Sequence, residues 1–195
     1  MKIINVVMVL ALSPLFASST FAQTAETEVN RNANQQERIQ NGLESGALNV
    51  REAARLEKAQ AHVSSMEARA LKDGALTEAE TARIKAAQDK TSQAIYNQKH
   101  DAQTGNPDSL ASKRMQENTQ RNANQQNRIE QGVSSGELTE REAARLEKGQ
   151  AHVANVQARA AADGHVGKHE QAKIHALQDK QSSKIRNQKH DKQEK

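Results

Sequence analysis

The chain contains nearly the same segment twice. Residues 31–103 align without a gap on residues 121–193 at a constant offset of 90, and 44 of the 73 aligned positions are identical. The first copy begins RNANQQERIQNG and the second begins RNANQQNRIEQG. A gapless match of this length indicates a duplicated folding unit, so we expect the same local structure in both copies.

The N-terminal segment has the pattern of a secretory signal peptide. Lys2 precedes an almost wholly apolar stretch, and Thr20-Phe21-Ala22 is a small-x-small cleavage site before Gln23. The stretch is too short to be a membrane span. The chain has no Cys, which excludes disulfides and lipidation of a mature N-terminal cysteine. The sequence therefore predicts a periplasmic or secreted protein without a membrane span.

Composition leaves little material for a large apolar core. Beyond residue 22 the chain has 24 Leu, Ile, Val and Met residues among 173, and Tyr96 is the only aromatic residue. So few large aliphatic residues usually indicate disorder, but abundant Ala, Glu, Lys, Arg and Gln favour helices. The net charge of +4 is too small to indicate a dedicated nucleic-acid surface. Composition thus predicts a helical protein with thin, Ala-rich apolar seams.

Regular turn sequences divide each copy. The segments SGALN, DGALT and SGELT each place a Gly where a helix ends and an Asn or Thr where the next begins, and Glu52, Glu80 and Glu142 follow three residues later. These features predict C-terminal glycine caps and N-terminal capping boxes. They divide the first copy into three helices near residues 31–44, 50–72 and 78–101, and short turns make consecutive helices antiparallel.

The predicted fold class is all-α, with two tandem three-helix antiparallel units joined by a short linker in an elongated arrangement. The predicted organisation is a signal peptide at residues 1–22, a first unit at 23–103, a linker at 104–109 and a second unit at 110–195. Gly105 and Pro107 break the preceding helix, and Asp108 or Ser109 can cap the next one. Relative freedom of the two units is the default expectation for such a linker.

The second copy has histidines that the first lacks. His165 and His169, together with Asp163 and Glu170, surround one inter-helix turn, and His175 follows on the next helix. Imidazole and carboxylate groups suit Zn²⁺, Cu²⁺ or Ni²⁺ when three or four of them converge. We therefore consider a divalent metal as a candidate cofactor, with weak adventitious binding as the alternative reading.

Several polar strings are the same in both copies: RNANQQ, REAARLEK, QDK and NQKHD. They indicate either an exposed surface that one kind of partner uses twice or a recent duplication in which little has diverged. Folding back at the turns also brings His62 to the level of Asn32 and Gln88, where it can bond a side-chain amide or water.

Three resemblances bear on the chain. The strings DGALTEAE and SGELTERE resemble the second half of an EF-hand calcium loop, but Arg69, Leu71, Gln131 and Val133 stand where the first and third ligands belong. The turn Leu138-Thr139 is similar to the LTxxQ signature of CpxP-like periplasmic helical proteins, with Glu142 in place of Gln, which implies chaperoning or stress sensing. The broader pattern resembles small exported bacterial tandem-repeat helical proteins of unassigned function, which implies export and helices.

No enzymatic motif is present, neither a Gly-rich phosphate loop nor G-x-S-x-G nor H-E-x-x-H. The sequence favours a non-catalytic periplasmic interaction or stress-related protein that presents two similar helical surfaces. Its partner is expected to be a protein or a cell-envelope polymer, without specific nucleic-acid binding. The alternative is a periplasmic metal-binding protein for Zn²⁺, Cu²⁺, Ni²⁺ or Ca²⁺.

Overall fold

The computed structural model describes residues 17–191, with side chains from residue 30 onward, and this part of the chain contains only helices. The six helices are α1 (Ala17–Glu44), α2 (Val50–Ala70), α3 (Glu78–Lys99), α4 (Leu110–Ser134), α5 (Glu140–Ala160) and α6 (Lys168–Lys189). The prediction of an all-α fold is confirmed. Most of the predicted signal peptide lies outside the described residues, and its predicted cleavage point falls inside α1.

The turns form as the sequence predicts. Gly46 and Gly136 have φ angles of 74° and 69°, which a residue without a side chain adopts readily. At the start of α2 the side chain of Asn49 accepts a bond from the backbone of Glu52, whose carboxylate accepts the Asn49 backbone N–H at 2.8 Å. Such reciprocal bonds satisfy donors that the first helical turn leaves unpaired. Both copies therefore start their second helix at the predicted position.

The two copies pack against each other along their length. Helix α1 lies against α4, and α2 lies against α5. Arg51 at the start of α2 bonds the backbone oxygen of Asp163, just beyond α5, whereas Arg141 at the start of α5 bonds that of Asp73, just beyond α2. Helices α2 and α5 are therefore antiparallel, and a pseudo-two-fold axis relates the copies. Helix α3 packs on α1 and α2, and α6 packs on α4 and α5, so α3 and α6 form opposite outer sides.

Each end of the bundle has one apolar cluster built from both copies. Cluster 1 joins residues around the first turn of copy one to the far end of copy two: Ile39, Leu43, Leu48, Leu56 and Ile95 with Met115, Ala161, Val166 and Ile174. Cluster 2 is its pseudo-symmetric counterpart: Ile129, Val133, Leu138, Leu146 and Ile185 with Leu71, Leu76 and Ile84. Because each cluster contains residues of both copies, the expected relative freedom of the two units is not what the structure shows.

The linker also lies against the first copy. The backbone N–H of Gly105 donates to the carbonyl oxygen of Gly46 at 2.8 Å. The side chain of Gln116 donates to the carbonyl oxygen of Pro107 at 2.9 Å. Ser109, one of the two predicted caps, accepts the backbone N–H of Ser112 and starts α4. The linker thus closes one end of the interface between the copies.

Within residues 17–191, none of the helices combines the length and the apolar character that crossing a bilayer requires.

Candidate functional site

A buried polar layer separates the two apolar clusters at the middle of the bundle. Along α2, the buried residues Glu57, Gln60, Ser64 and Glu67 continue the helical spacing of the apolar residues that precede them. The layer also contains amides and hydroxyls from α1, α3, α4, α5 and α6: Asn32, Gln36, Gln88, Thr119, Asn122, Gln126, Gln150, Gln157 and Gln178. The interface between the copies is therefore apolar at both ends and polar at its centre.

Glu57 is fully buried in this layer and contacts copy two. Its carboxylate accepts bonds from Thr119 Oγ1 at 3.1 Å, from Gln36 Nε2 at 3.2 Å and from Asn122 Nδ2 at 3.5 Å. All three donors are neutral, and burial raises the pKa of Glu57 from 4.5 to about 7 despite these bonds. A carboxyl group without a cationic partner thus lies at the interface between the copies.

Glu147 is the pseudo-symmetric counterpart of Glu57 and faces copy one. Gln126 Nε2 donates to its carboxylate at 2.6 Å, and Ser64 and the carboxyl group of Glu67 also contact it. Burial is again the largest cause that raises its pKa to about 7. Two carboxyl groups in contact in a buried site cannot both be ionised without a large cost.

Glu67 connects this site to the rest of copy one. Its carboxylate accepts a bond from Asn32 Nδ2 at 2.6 Å and another from Gln88 Nε2 at 3.2 Å. The sequence predicted that Asn32 and Gln88 lie at one level, and they do, with a bond of 3.0 Å between them. His62, which was expected beside them, is exposed.

A small cavity lies at the centre of the polar layer. Its volume is about 10 Å³, and its lining includes Gln60 and Gln150, which are equivalent positions in the two copies. A cavity of this size has room for about one water molecule. It is too small for an organic substrate.

The retained polar strings contribute much of this layer. Asn32, Gln35 and Gln36 of RNANQQ are buried, and so are Glu52 and Glu57 of REAARLEK. Asn32, Gln35, Gln36 and Glu52 bond partners within copy one, whereas Glu57 also bonds copy two, so their retention follows from packing within each copy and between the copies. The exposed retained residues include Lys90 and Asn97 on α3 and Arg51, Arg55 and Lys58 on α2, with their equivalents on α6 and α5.

The four candidate metal ligands lie around the turn between α5 and α6. The carboxylate of Asp163 accepts the backbone N–H of His165 at 2.9 Å, and that of Glu170 accepts the backbone N–H of Gly167 at 2.7 Å. His169 is exposed at the start of α6. Both carboxylates therefore stabilise the turn and the start of the helix.

His175 lies apart from this turn, beside Glu117 at 3.2 Å and Gln171 at 2.6 Å. Among the residues that the structure describes, no three His, Asp or Glu side chains are placed to hold one metal ion. Metal binding by His165, His169, Asp163 and Glu170 stays a prediction, and calorimetric titration with Zn²⁺, Cu²⁺, Ni²⁺ and Ca²⁺ is its test.

Sequence reasoning did not identify Glu57 and Glu147 as interior residues. Each follows a seam leucine, Leu56 or Leu146, and lies three positions before a buried glutamine. That spacing was the available signal. The spacing indicates burial only if another helix also covers the side of the helix that carries these glutamates. The sequence of one helix does not show whether such a neighbour is present.

No family model, curated protein or solved structure matches this chain.

Proposed function

We propose that this chain is a non-catalytic interaction or stress-related protein of the periplasm, which presents two similar helical surfaces to a protein or a cell-envelope polymer. The surfaces are the outer faces of α3 and α6. In this proposal each copy is a three-helix unit and the two units together form an elongated molecule. Small-angle X-ray scattering measures this elongation.

The observation that carries the proposal is the position of the retained residues that face solvent. Lys90 and Asn97 on α3, and their equivalents Lys180 and Asn187 on α6, are exposed in both copies. Packing in the interior explains why buried glutamines and glutamates are retained, but it gives no reason to retain exposed positions. Two similar faces on opposite sides of one bundle favour a partner that is itself repeated, because two linked contacts raise avidity.

The buried carboxyl groups support the stress-related part of the proposal. Glu57 and Glu147 have raised pKa values, so the bundle binds protons that the unfolded chain releases in mildly acidic solution. Acid therefore stabilises the bundle through these groups. A protein outside the cytoplasm meets the pH of its surroundings, where such a response is useful.

Site-specific photo-crosslinking in cells tests the proposal. A photoreactive amino acid is placed at Asn97 or at Asn187, with Glu44 and Ser134 as control positions that are exposed, equivalent to each other and different in the two copies. We expect Asn97 and Asn187 to label the same partner in the periplasmic fraction and the controls to label none. Different partners at the two positions, or none, would contradict the proposal.

A further inference from the structure

We propose that the face formed by α2 and α5 binds a flexible, linear polyanion whose charges are phosphate groups. This proposal does not depend on the function proposed above. The groove between α5 and α6 nevertheless shares Lys180 and Asn187 with the outer face of α6.

The proposal begins with the segregation of charge on α2. Its three glutamates, at positions 52, 57 and 67, are 1%, 0% and 1% exposed. Its basic residues are all exposed: Arg51, Arg55, Lys58 and Arg69. One helix of near-balanced composition therefore presents only cations to solvent.

Helix α5 repeats this arrangement. Glu142 and Glu147 are buried and Glu140, at the first position of α5, is half-buried, whereas Arg141, Arg145 and Lys148 are exposed. The pseudo-two-fold axis passes between α2 and α5, so the exposed stripes of both helices lie on one face. Carboxylates lie at the two ends of this face. Asp73 and Glu140 lie at one end and Asp163 at the other, where Arg141 and Arg51 bond the backbone oxygens of Asp73 and Asp163. The centre of the face is cationic.

Two concave features on this side of the molecule have cationic walls. A cleft of about 360 Å³ lies between the start of α2 and the end of α5, and its charged lining residues are Arg51, Arg55, Lys58 and Arg159. A groove of about 660 Å³ lies between α5 and α6, and its charged lining residues are Arg145, Lys148, Lys180 and Lys184. Neither lining contains an Asp or a Glu.

Shape and composition select the kind of polyanion. Arg51, Arg55 and Lys58 on α2 recur about once per helical turn, or roughly every 5 Å, and therefore match a chain of repeated charges. Guanidinium groups also bind phosphate oxygens in pairs. The large apolar side chains that are exposed among the described residues are Tyr96 and Leu110, and neither lies on α2 or α5.

The same observations weigh against two other anionic partners. Single-stranded nucleic acids bind strongly where aromatic side chains stack on their bases, and this face offers none. A bilayer surface lacks the narrow shape that enters a cleft between helices. A thin, flexible chain of phosphates fits both the clefts and the charge.

The test measures binding of long-chain inorganic polyphosphate to the purified full chain by isothermal titration calorimetry. We expect binding whose affinity falls about 50-fold between about 50 and 200 mM salt, as four phosphate contacts imply. Reversal of the four central cations is expected to weaken binding about 100-fold at the lower salt concentration. The changes are Arg55→Glu, Lys58→Glu, Arg145→Glu and Lys148→Glu.

A matched control changes the net charge equally on α3 and α6, at exposed positions that line neither the cleft nor the groove: Arg83→Glu, Lys85→Glu, Lys173→Glu and Arg186→Glu. It is expected to keep affinity within about threefold, since distant charges are screened. Circular dichroism checks that both variants fold. If the charge-reversal variant does not fold, a variant with glutamine at the same four central positions takes its place.

Three results would overturn the proposal. They are an absence of polyphosphate binding at low salt, an equal loss of affinity in the control, and tighter binding of duplex DNA or of anionic phosphatidylglycerol vesicles than of polyphosphate.

Discussion

The sites around Glu57 and Glu147 occupy equivalent positions in the two copies and differ in charge. Glu57 contacts Thr119 and two amides, whereas Glu147 contacts Gln126, Ser64 and a second carboxyl group, that of Glu67. The position equivalent to Glu67 in copy two is Gln157, whose side chain donates to Thr119 Oγ1 at 3.1 Å. One site therefore holds a single carboxyl group and the other holds two.

The difference teaches how a duplicated interior can diverge without losing its shape. Gln and Glu have the same shape and fill the same space, so exchanging one for the other keeps the packing of α2 against α5. The exchange does change the number of protons that the layer binds. Divergence has changed the number of carboxyl groups in the polar layer. The two apolar clusters occupy equivalent positions and differ in side-chain size, as at Leu71 and Ala161.

The largest expected effect is the loss of stability as the layer ionises. The pKa values of Glu57 and Glu147 are both raised from 4.5 to about 7. A raised carboxyl pKa means that the folded state keeps protons which the unfolded chain has released, so stability is full below about pH 4.5 and falls as the pH approaches 7. Each shift corresponds to about 3 kcal/mol. Urea unfolding followed by circular dichroism across this window measures it.

The double substitution Glu57→Gln and Glu147→Gln is the matched control for this titration. It preserves side-chain shape and removes both groups, so most of the dependence between pH 4.5 and 7 should disappear. A dependence equal to that of the unmodified protein would show that other groups are responsible.

The next effect tests the equivalence of the apolar clusters. Leu56 lies in cluster 1 and Leu146 in cluster 2, with exposures of 2% and 0%. Leu56→Ala and Leu146→Ala should each lower the free energy of unfolding by about 2–5 kcal/mol. The two losses should agree closely and should not depend on pH. Unequal losses would mean that the differences in side-chain size between the two clusters change how well each is packed.

A smaller effect is expected when the two carboxyl sites are made alike. Glu67→Gln removes the second carboxyl group beside Glu147, and Gln157→Glu adds one beside Glu57. At pH 8 the first change should raise stability and the second should lower it, each by roughly 1–3 kcal/mol, which is the range of coupling between contacting residues. Chemical denaturation at pH 8 and at pH 4.5 separates this electrostatic effect from a change in packing. The electrostatic effect should shrink at pH 4.5, where the carboxyl groups are protonated, whereas a packing effect should stay the same. A loss of stability from both changes at pH 8 would contradict the account of paired carboxyls.

The smallest effect lies outside the polar layer. Thr77 caps α3 with its side chain, whereas the equivalent Gly167 at the start of α6 offers no side-chain cap. Thr77→Ala should lower stability by about 1 kcal/mol, and Gly167→Thr should change it by only a few tenths. Neither change should alter the dependence on pH between 4.5 and 7. A changed dependence would show that the helix ends and the polar layer are coupled.

Local structure was predictable from the sequence because local chemistry decides it. The turn glycines and the capping residues Asn49, Thr77 and Thr139 begin and end helices through bonds within a few residues. The predicted limits of the helices in copy one agree with the observed ones, with three exceptions. Helix α1 begins earlier, at Ala17, α2 ends in a short 3₁₀ turn at Leu71–Asp73, and α3 ends at Lys99 rather than near residue 101.

The candidate site was not predictable in the same way. Glu57 and Glu147 have the composition and spacing of ordinary solvent-facing residues on a charged helix. Their burial results from contacts with the other copy. Glu57, for example, bonds two residues of α4 that are 62 and 65 positions away in the sequence. Helical periodicity identifies one face of a helix, but it does not tell how many neighbouring helices cover the helix.

The sequence by itself determined the duplication, the helices and their ends, because repeated residues and local hydrogen bonds specify them. Only the tertiary structure decided that α1 pairs with α4 and α2 with α5, and this pairing separates charges that the composition leaves nearly balanced. The net charge of +4 includes glutamates that the fold places in the interior beside amides. A charge count treats every ionisable group alike, whereas burial removes some groups from solvent, raises the pKa values of Glu57 and Glu147, and leaves the cations of α2 and α5 at the surface.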